Sequence, residues 1–221
     1  MPGRPARRLI GFLGGTGPQG RGLGLRLAAA GHRVLLGSRD PERASAVLKE
    51  LRSPVGALVG VGNREACEAE VVFVTVPYAA QRDTLAPLGD ALDDKIVVTC
   101  VNALAFDERG PRPVRVEAGS AAEECALLLP RARIVSAFHD VSARRLLHLD
   151  EPVGIDVLMC GDDEDAKAEV ALLAADIPGM RAVDAGPLRL SAPIEDLTAV
   201  LMSVNRRYSI HAGICVDGLA R

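Results

Sequence analysis

Short apolar runs alternate with helical patterns along most of the chain. The runs are Leu9–Leu13, Val34–Leu36, Ala57–Val61, Val71–Val76, Ile96–Val101, Ile134–Phe138 and Ile155–Cys160. Several are apolar throughout, the pattern of parallel strands that helices cover on both faces. Strand–helix–strand order of this kind predicts right-handed crossovers and a doubly wound, mostly parallel α/β sheet. Phe106–Glu117, with Gly110, Pro111 and Pro113, predicts a loop near the active site or between two halves. Towards the end, Leu197, Val200, Leu201 and Val204 stand at i, i+3, i+4 and i+7, a helix with one apolar stripe. That stripe caps the fold, meets a second subunit or walls a cleft, and the pattern alone does not choose among them.

The turn after the first run carries chemistry. Leu13-Gly-Gly-Thr-Gly-Pro-Gln-Gly20 contains Gly15-x-Gly17-x-x-Gly20 between a predicted strand and a predicted helix. This is the context of a dinucleotide-binding, Rossmann-type fingerprint. Gly15 is expected to make the tight turn, Gly17 to let a pyrophosphate approach the backbone, and Gly20 to let helix and strand pack closely. Thr16, Pro18 and Gln19 complete the loop, and the phosphates are expected at the helix N-terminus. Gly20, Gly24 and Ala28 give that helix a smooth face, and Gly31 ends it. The second strand ends in Gly37-Ser-Arg39, with Arg43 one turn further on. A hydroxyl and planar cations here suit the 2′-phosphate of NADP, where an acidic residue would select NAD. Asp40 would repel that phosphate, but Asp40-Pro41-Glu42 reads as a helix N-cap followed by Pro at N1.

Composition narrows the classes. A length of 221 residues, 48% hydrophobic and 25% charged, suits a globular fold with one substantial core. A net charge of −3, no Trp and only two Tyr point away from nucleic acid and anionic membranes as partners. Cys67, Cys100, Cys125, Cys160 and Cys215 form no C-x-x-C pair and read as small core residues of a reducing compartment. The start, Met1 to Arg8, is basic, but Leu9–Leu13 is too short for an export signal, so a cytoplasmic location is expected. His32, His148 and His211 show no metal-ligand spacing, and no metal is expected.

The later segments carry a resemblance. Together with the glycine loop and Gly37-Ser-Arg39, Thr75-Val-Pro77, Ser136-Ala-Phe-His139, Cys160-Gly-Asp-Asp163 and Asp184-Ala-Gly-Pro-Leu188 resemble the F420-dependent NADP oxidoreductases. The likeness runs in order over nearly the whole chain. It implies a Rossmann domain over 1–140 and a small C-terminal helical/αβ region over 141–221 that shapes a deazaflavin cleft, within a homodimer. It implies hydride transfer between nicotinamide C4 of NADP(H) and C5 of coenzyme F420, the second, exchangeable substrate. Carried onto this chain, it places Thr16, Ser38, Arg39 and Arg43 on the NADP phosphates. Val76, Pro77 and Tyr78 then border the nicotinamide, Asn102 stands near the cleft, and His139 and Val141 lie where the two ring systems meet. Arg144 with Arg145, or Arg206 with Arg207, would meet the anionic phosphate–glutamate tail of F420, unless they are merely solvated.

Two departures concern the second substrate. After His139 the family pattern is a hydroxyl and then an apolar residue, whereas this chain has Asp140-Val141; Cys100-Val-Asn-Ala-Leu104 also diverges. They keep two alternatives in view: an NADPH-dependent reductase of a carbonyl or imine metabolite, and a non-catalytic NADP(H) sensor. His139 is either a donor to the deazaflavin or a loop residue satisfied by its neighbours, and Tyr78 either a wall of the site or a packed loop residue. Asp162 and Asp163 read as charges at a helix N-terminus.

Overall fold

The structure, a computed structural model, describes residues 7–51 and 57–219, so the first six residues of the basic start lie outside it. The first half runs β1 (Leu9–Leu13), α1 (Pro18–Ala29), β2 (Arg33–Ser38), α2 (Pro41–Glu50), β3 (Leu58–Gly62), α3 (Asn63–Ala66) and β4 (Val71–Val74). Then come α4 (Gln81–Leu85), α5 (Gly89–Leu92), β5 (Ile96–Thr99), β6 (Leu104–Asp107), β7 (Gly110–Pro113) and α6 (Ala121–Leu128). The chain continues with β8 (Arg133–Ser136), α7 (Ala143–Leu146), β9 (Ile155–Gly161), α8 (Glu164–Ala175), β10 (Met180–Asp184) and α9 (Ser191–Tyr208).

Eight strands form one sheet in the order β10-β9-β8-β5-β4-β1-β2-β3. All neighbours are parallel except β8 and β9. The stretch from β3 to β8 is the doubly wound Rossmann order, which reverses between β1 and β4 and opens its ligand crevice there. Continuous apolar runs follow from burial on both faces. Ile10, Phe12, Val34, Leu36, Phe73, Val98 and Val135 enter one core with Leu23, Leu27, Val170 and Leu173 of the helices. The residues between them, Leu13, Val72, Val74, Val97 and Ile134, enter a second core with Leu85, Leu92 and Cys125. Alternate side chains of one strand therefore feed opposite layers.

Each predicted apolar run contains or overlaps a strand. The expected loop at Phe106–Glu117 is in large part a hairpin: β6 and β7 pair antiparallel, Asp107 opposite Gly110. Gly110 turns with φ +121° and Asp107 Oδ1 accepts from the Arg109 amide at 2.8 Å, so prolines on an isolated two-stranded ribbon still allow pairing. β10 was not legible as a strand because Arg181 and Asp184 interrupt its apolar residues at the sheet edge. Of the cysteines, Cys67, Cys100, Cys125 and Cys160 are buried free thiols, while Cys215 is exposed.

Candidate active site

The loop between β1 and α1 is shaped by close approaches. Gly14, at φ +70°, makes the turn expected of Gly15. Gly15 is needed for space instead, since a Cβ there would lie 3.0 Å from the Leu36 and Phe12 side of the sheet. A Cβ on Gly20 would lie 2.6 Å from Gly15 Cα and 2.8 Å from Thr75 Oγ1. Gly17 is the N-cap with φ −72° and ψ 164°, a conformation open to any residue, and no side chain caps the helix. Pro18 stands in the first turn, which carries no acidic residue, so the first N–H groups face outward without a protein acceptor. A helix end left this way is complementary to an anion. Thr16 is buried, and its carbonyl accepts from Arg21 Nε at 2.7 Å.

The end of β2 presents a second set of polar and cationic side chains at the same edge. Ser38 is buried and its Oγ accepts from the Asp40 amide at 3.1 Å, which leaves its O–H free to donate. Asp40 caps α2, with Oδ1 accepting from the amides of Glu42 at 3.0 Å and Arg43 at 3.4 Å. Its charge is thus held by the helix end. Arg39 and Arg43 are exposed, and among the described residues no carboxylate pairs with either. These residues fit the 2′-phosphate and pyrophosphate of NADP.

The far side of the crevice is a web of internal bonds. His139 is buried; its Nε2 meets Ser136 Oγ at 2.8 Å and its Nδ1 meets Asn102 Oδ1 at 3.0 Å. Burial pulls the imidazole down to about 4. The neutral ring therefore donates from Nδ1 to Asn102 and accepts at Nε2 from the Ser136 hydroxyl. Thr198 of α9 brings its hydroxyl within 3.1 Å of the His139 carbonyl and 3.3 Å of Asn102 Oδ1. Phe138 takes φ +64°, uncommon for a non-glycine residue. Its ring tilts on Phe73 at 5.6 Å, and Gln19 Nε2 donates to its carbonyl at 3.1 Å. The first turn of α1 is thereby tied to the end of β8 across 119 residues of sequence.

Thr16, Gly17, Gln19, Ser38, Val76, Asn102 and His139 all lie at or beyond the strand ends beside the crevice. His139 has no free ring nitrogen, so the hydrogen bond expected from it to a deazaflavin has no N–H to make it. Val141 is buried in the core with Phe138 and Leu146. Tyr78 is half-buried and bonds Glu124; burial, then that carboxylate, hold its hydroxyl above the usual range. Pro77 is exposed beside it. Asp163 caps α8, accepting from Ala166 N at 2.7 Å, whereas Asp162 accepts from Leu188 N at 3.0 Å and braces the turn before α9.

Sequence reasoning missed three groups. Thr198 lies off the apolar stripe read on α9, next to the buried Ile194, Glu195 and Ala199. Arg26 is buried in α1 and donates to the carbonyls of Arg145, Leu146 and His148, closing the end of α7. Glu195 is buried in α9 and accepts from the amides of Ala121 and Ala122 at 3.0 Å each, capping α6. Burial raises its carboxyl to about 7.

Residues 9–103 match the family described as NADP oxidoreductase, coenzyme F420-dependent. The F420-dependent NADP reductase of Methanothermobacter thermautotrophicus is 37% identical over 225 residues, covering 95% of each chain. This chain belongs to the F420-dependent NADP oxidoreductases. The F420-dependent NADP reductase of Methanocaldococcus jannaschii is 38% identical over 95% of this chain and 98% of its own length. A crystal structure of a candidate F420-dependent NADP reductase from an Arthrobacter species superposes with a TM-score of 0.80 at 25% identity, covering 98% of this chain and 100% of that one. The matches span nearly the full length of this chain and of each of those relatives. No helix among this chain's described residues is long and apolar enough to cross a membrane.

Proposed function

We infer that the protein transfers a hydride reversibly between NADP(H) and coenzyme F420. The observation that carries the reading, within this family, is one edge of the sheet where an uncapped helix N-terminus stands beside a free hydroxyl and two unpaired arginines. When bound, the nicotinamide and the deazaflavin supply the redox chemistry: a hydride leaves C4 of one for C5 of the other as a ring nitrogen of the deazaflavin takes a proton. The chain's part is binding, alignment and exclusion of water. Amides of the 14–20 loop take the pyrophosphate, and Ser38, Arg39 and Arg43 take the 2′-phosphate. Val76, Pro77 and Tyr78 border the nicotinamide.

His139 is proposed as a positioning residue. Its ring locks Asn102, and its carbonyl ties α9 to the crevice through Thr198. Asp140 gives no proton to a substrate from its position, because both carboxyl oxygens are shut away from solvent. The carbonyl- or imine-reductase reading therefore gains nothing from it. Residues 1–140 are proposed as the NADP-binding unit and 141–221 as the part that shapes the cleft. Exposed Val200 and Met202 on α9 support a homodimer, and unpaired cysteines support a cytoplasmic location. The test is absorbance of F420 mixed with NADPH and catalytic enzyme: the deazaflavin band bleaches if the reading holds. An unchanged band with NADPH bound would leave only the NADP half.

A further inference from the structure

The chain that leaves β4 runs along the crevice. Thr75 Oγ1 donates to the Leu13 carbonyl at 3.0 Å. Val76 lies against the glycine loop, where a Cβ on Gly14 would come within 2.6 Å of its Cγ1. A 3₁₀ turn, Tyr78–Ala80, then leads straight into α4. Neither piece is capped locally, since the N-cap residues Pro77 and Ala80 make no side-chain hydrogen bond. Helical turns this short and uncapped are held by what their side chains reach.

Those side chains converge on one carboxylate. Tyr78, Gln81 and Arg82 stand at i, i+3 and i+4, on one face of the turn. Gln81 Nε2 donates to Glu124 Oε2 at 3.1 Å, Arg82 Nη2 donates to Oε1 at 2.8 Å, and the Tyr78 hydroxyl bonds the same group. Gln81 Nε2 also donates to the Ala121 carbonyl at 3.0 Å. Gln81 is fully buried and its Oε1 has no partner among the described residues, so its N–H groups alone hold it there. Glu124 is itself fixed from behind. Ser120 caps α6, and Glu195 of α9 accepts from the amides of Ala121 and Ala122. One turn further along α9, Thr198 reaches the His139 carbonyl, so the same helix braces both sides of the crevice. An exposed ion pair would hold little, but the Glu124 side chain is only 14% exposed.

We propose that Glu124 is a positioning residue for hydride transfer: its carboxylate clamps the 78–82 turn so that Pro77 and Tyr78 form a fixed wall for the nicotinamide. The proposal rests on the reading that residues 76–78 border that ring. Glu124 acts through the turn and not on a reacting atom. Its effect therefore falls on the alignment of the ring, while the glycine loop and the end of β2 keep their hold on the phosphates.

The test is single-turnover reduction of F420 by NADPH, with NADPH affinity and tyrosine titration measured beside it. Glu124→Gln keeps the shape, removes the charge and puts N–H groups where Gln81 already donates. Transfer should slow about 10-fold while the NADPH dissociation constant stays within about twofold. Tyr78→Phe should slow it about threefold, and the double variant should be no slower than Glu124→Gln alone. The tyrosinate absorbance lost in Tyr78→Phe reports the Tyr78 hydroxyl. Burial, then Glu124 with Glu195 behind it, holds that hydroxyl above its usual range, and Arg82 opposes them. In Glu124→Gln it should ionise at lower pH. A lowered melting temperature with an unchanged transfer rate would make Glu124 a mere support of α6 and overturn the clamp. Full transfer in Tyr78→Phe with slowed transfer in Tyr78→Ala would overturn it too, yet leave the nicotinamide border standing. If Tyr78→Ala has no effect, or the unaltered enzyme reduces no F420, the border or the F420 reading falls and the clamp with it.

Discussion

The two sides of the crevice meet their ligands in opposite ways. The β1–α1 loop and the end of β2 leave groups unsatisfied: helix amides without acceptors, a hydroxyl with a free proton and arginines without carboxylates. The β8 side leaves almost nothing free. Ser136, His139, Asn102 and Thr198 satisfy one another, and Gln19 closes the circuit to the Phe138 carbonyl. The first side is proposed to bind by complementary charge. The second holds a shape, against which two rings can be stacked without competing hydrogen bonds.

Breaking the first side at its tightest point should have the largest effect. Gly20→Ala places a Cβ against Gly15 and Thr75 and should lower kcat/KM more than about 100-fold, with overpacking costing about 1–3 kcal/mol. Fluorescence titration with NADPH should show binding lost. Substituting Ser38→Ala with Arg39→Gln should raise KM for NADPH about 50-fold and leave NADH within about twofold. Equal losses for both coenzymes would remove the 2′-phosphate from this corner.

On the second side, Thr198→Val removes the hydroxyl that ties α9 to His139 and Asn102. Turnover with F420 should fall about 10-fold while the NADPH dissociation constant stays the same. A parallel loss of NADPH affinity would mean that the two sides are not separable.

The smallest effect on turnover is expected at Asp140. Its carboxyl is buried without a hydrogen-bond partner, and burial, with Asp156 a lesser cause, raises it to about 7. The folded chain keeps a proton that the unfolded chain releases at the usual carboxylate pH. Stability is therefore lost as pH rises from about 4 to about 7. Asp140→Asn should match the parent in acid and exceed it above neutrality by on the order of 2 kcal/mol in denaturant melts. Glu195, also raised to about 7, leaves a residual slope of the same sign. His139, held near 4, contributes the opposite slope below about pH 6.5.

The same contrast decides what was legible in the sequence. Ser38, Arg39 and the Asp40 cap lie within three consecutive residues, and Gly20 stands five residues after Gly15 in one loop, so local spacing exposes them. Gly14 shows the limit of that reading: the motif names three glycines, but the left-handed turn falls on the residue before the first of them. The web at β8 joins partners 37, 59 and 96 residues apart. Only the folded sheet brings Asn102, His139 and Thr198 together, and no local pattern marks a threonine on α9 as their partner. Likewise β10 exists as a strand because β9 lies beside it, which its own five residues do not announce.

The central claim is direct transfer between two rings aligned in one crevice. NADPH deuterated at both C4 positions, mixed with F420 and enzyme in ordinary water, tests it most directly through the mass of the reduced deazaflavin. The account predicts one deuterium retained at C5. A reduced deazaflavin without the label would contradict it, because the hydrogen would then have come from solvent.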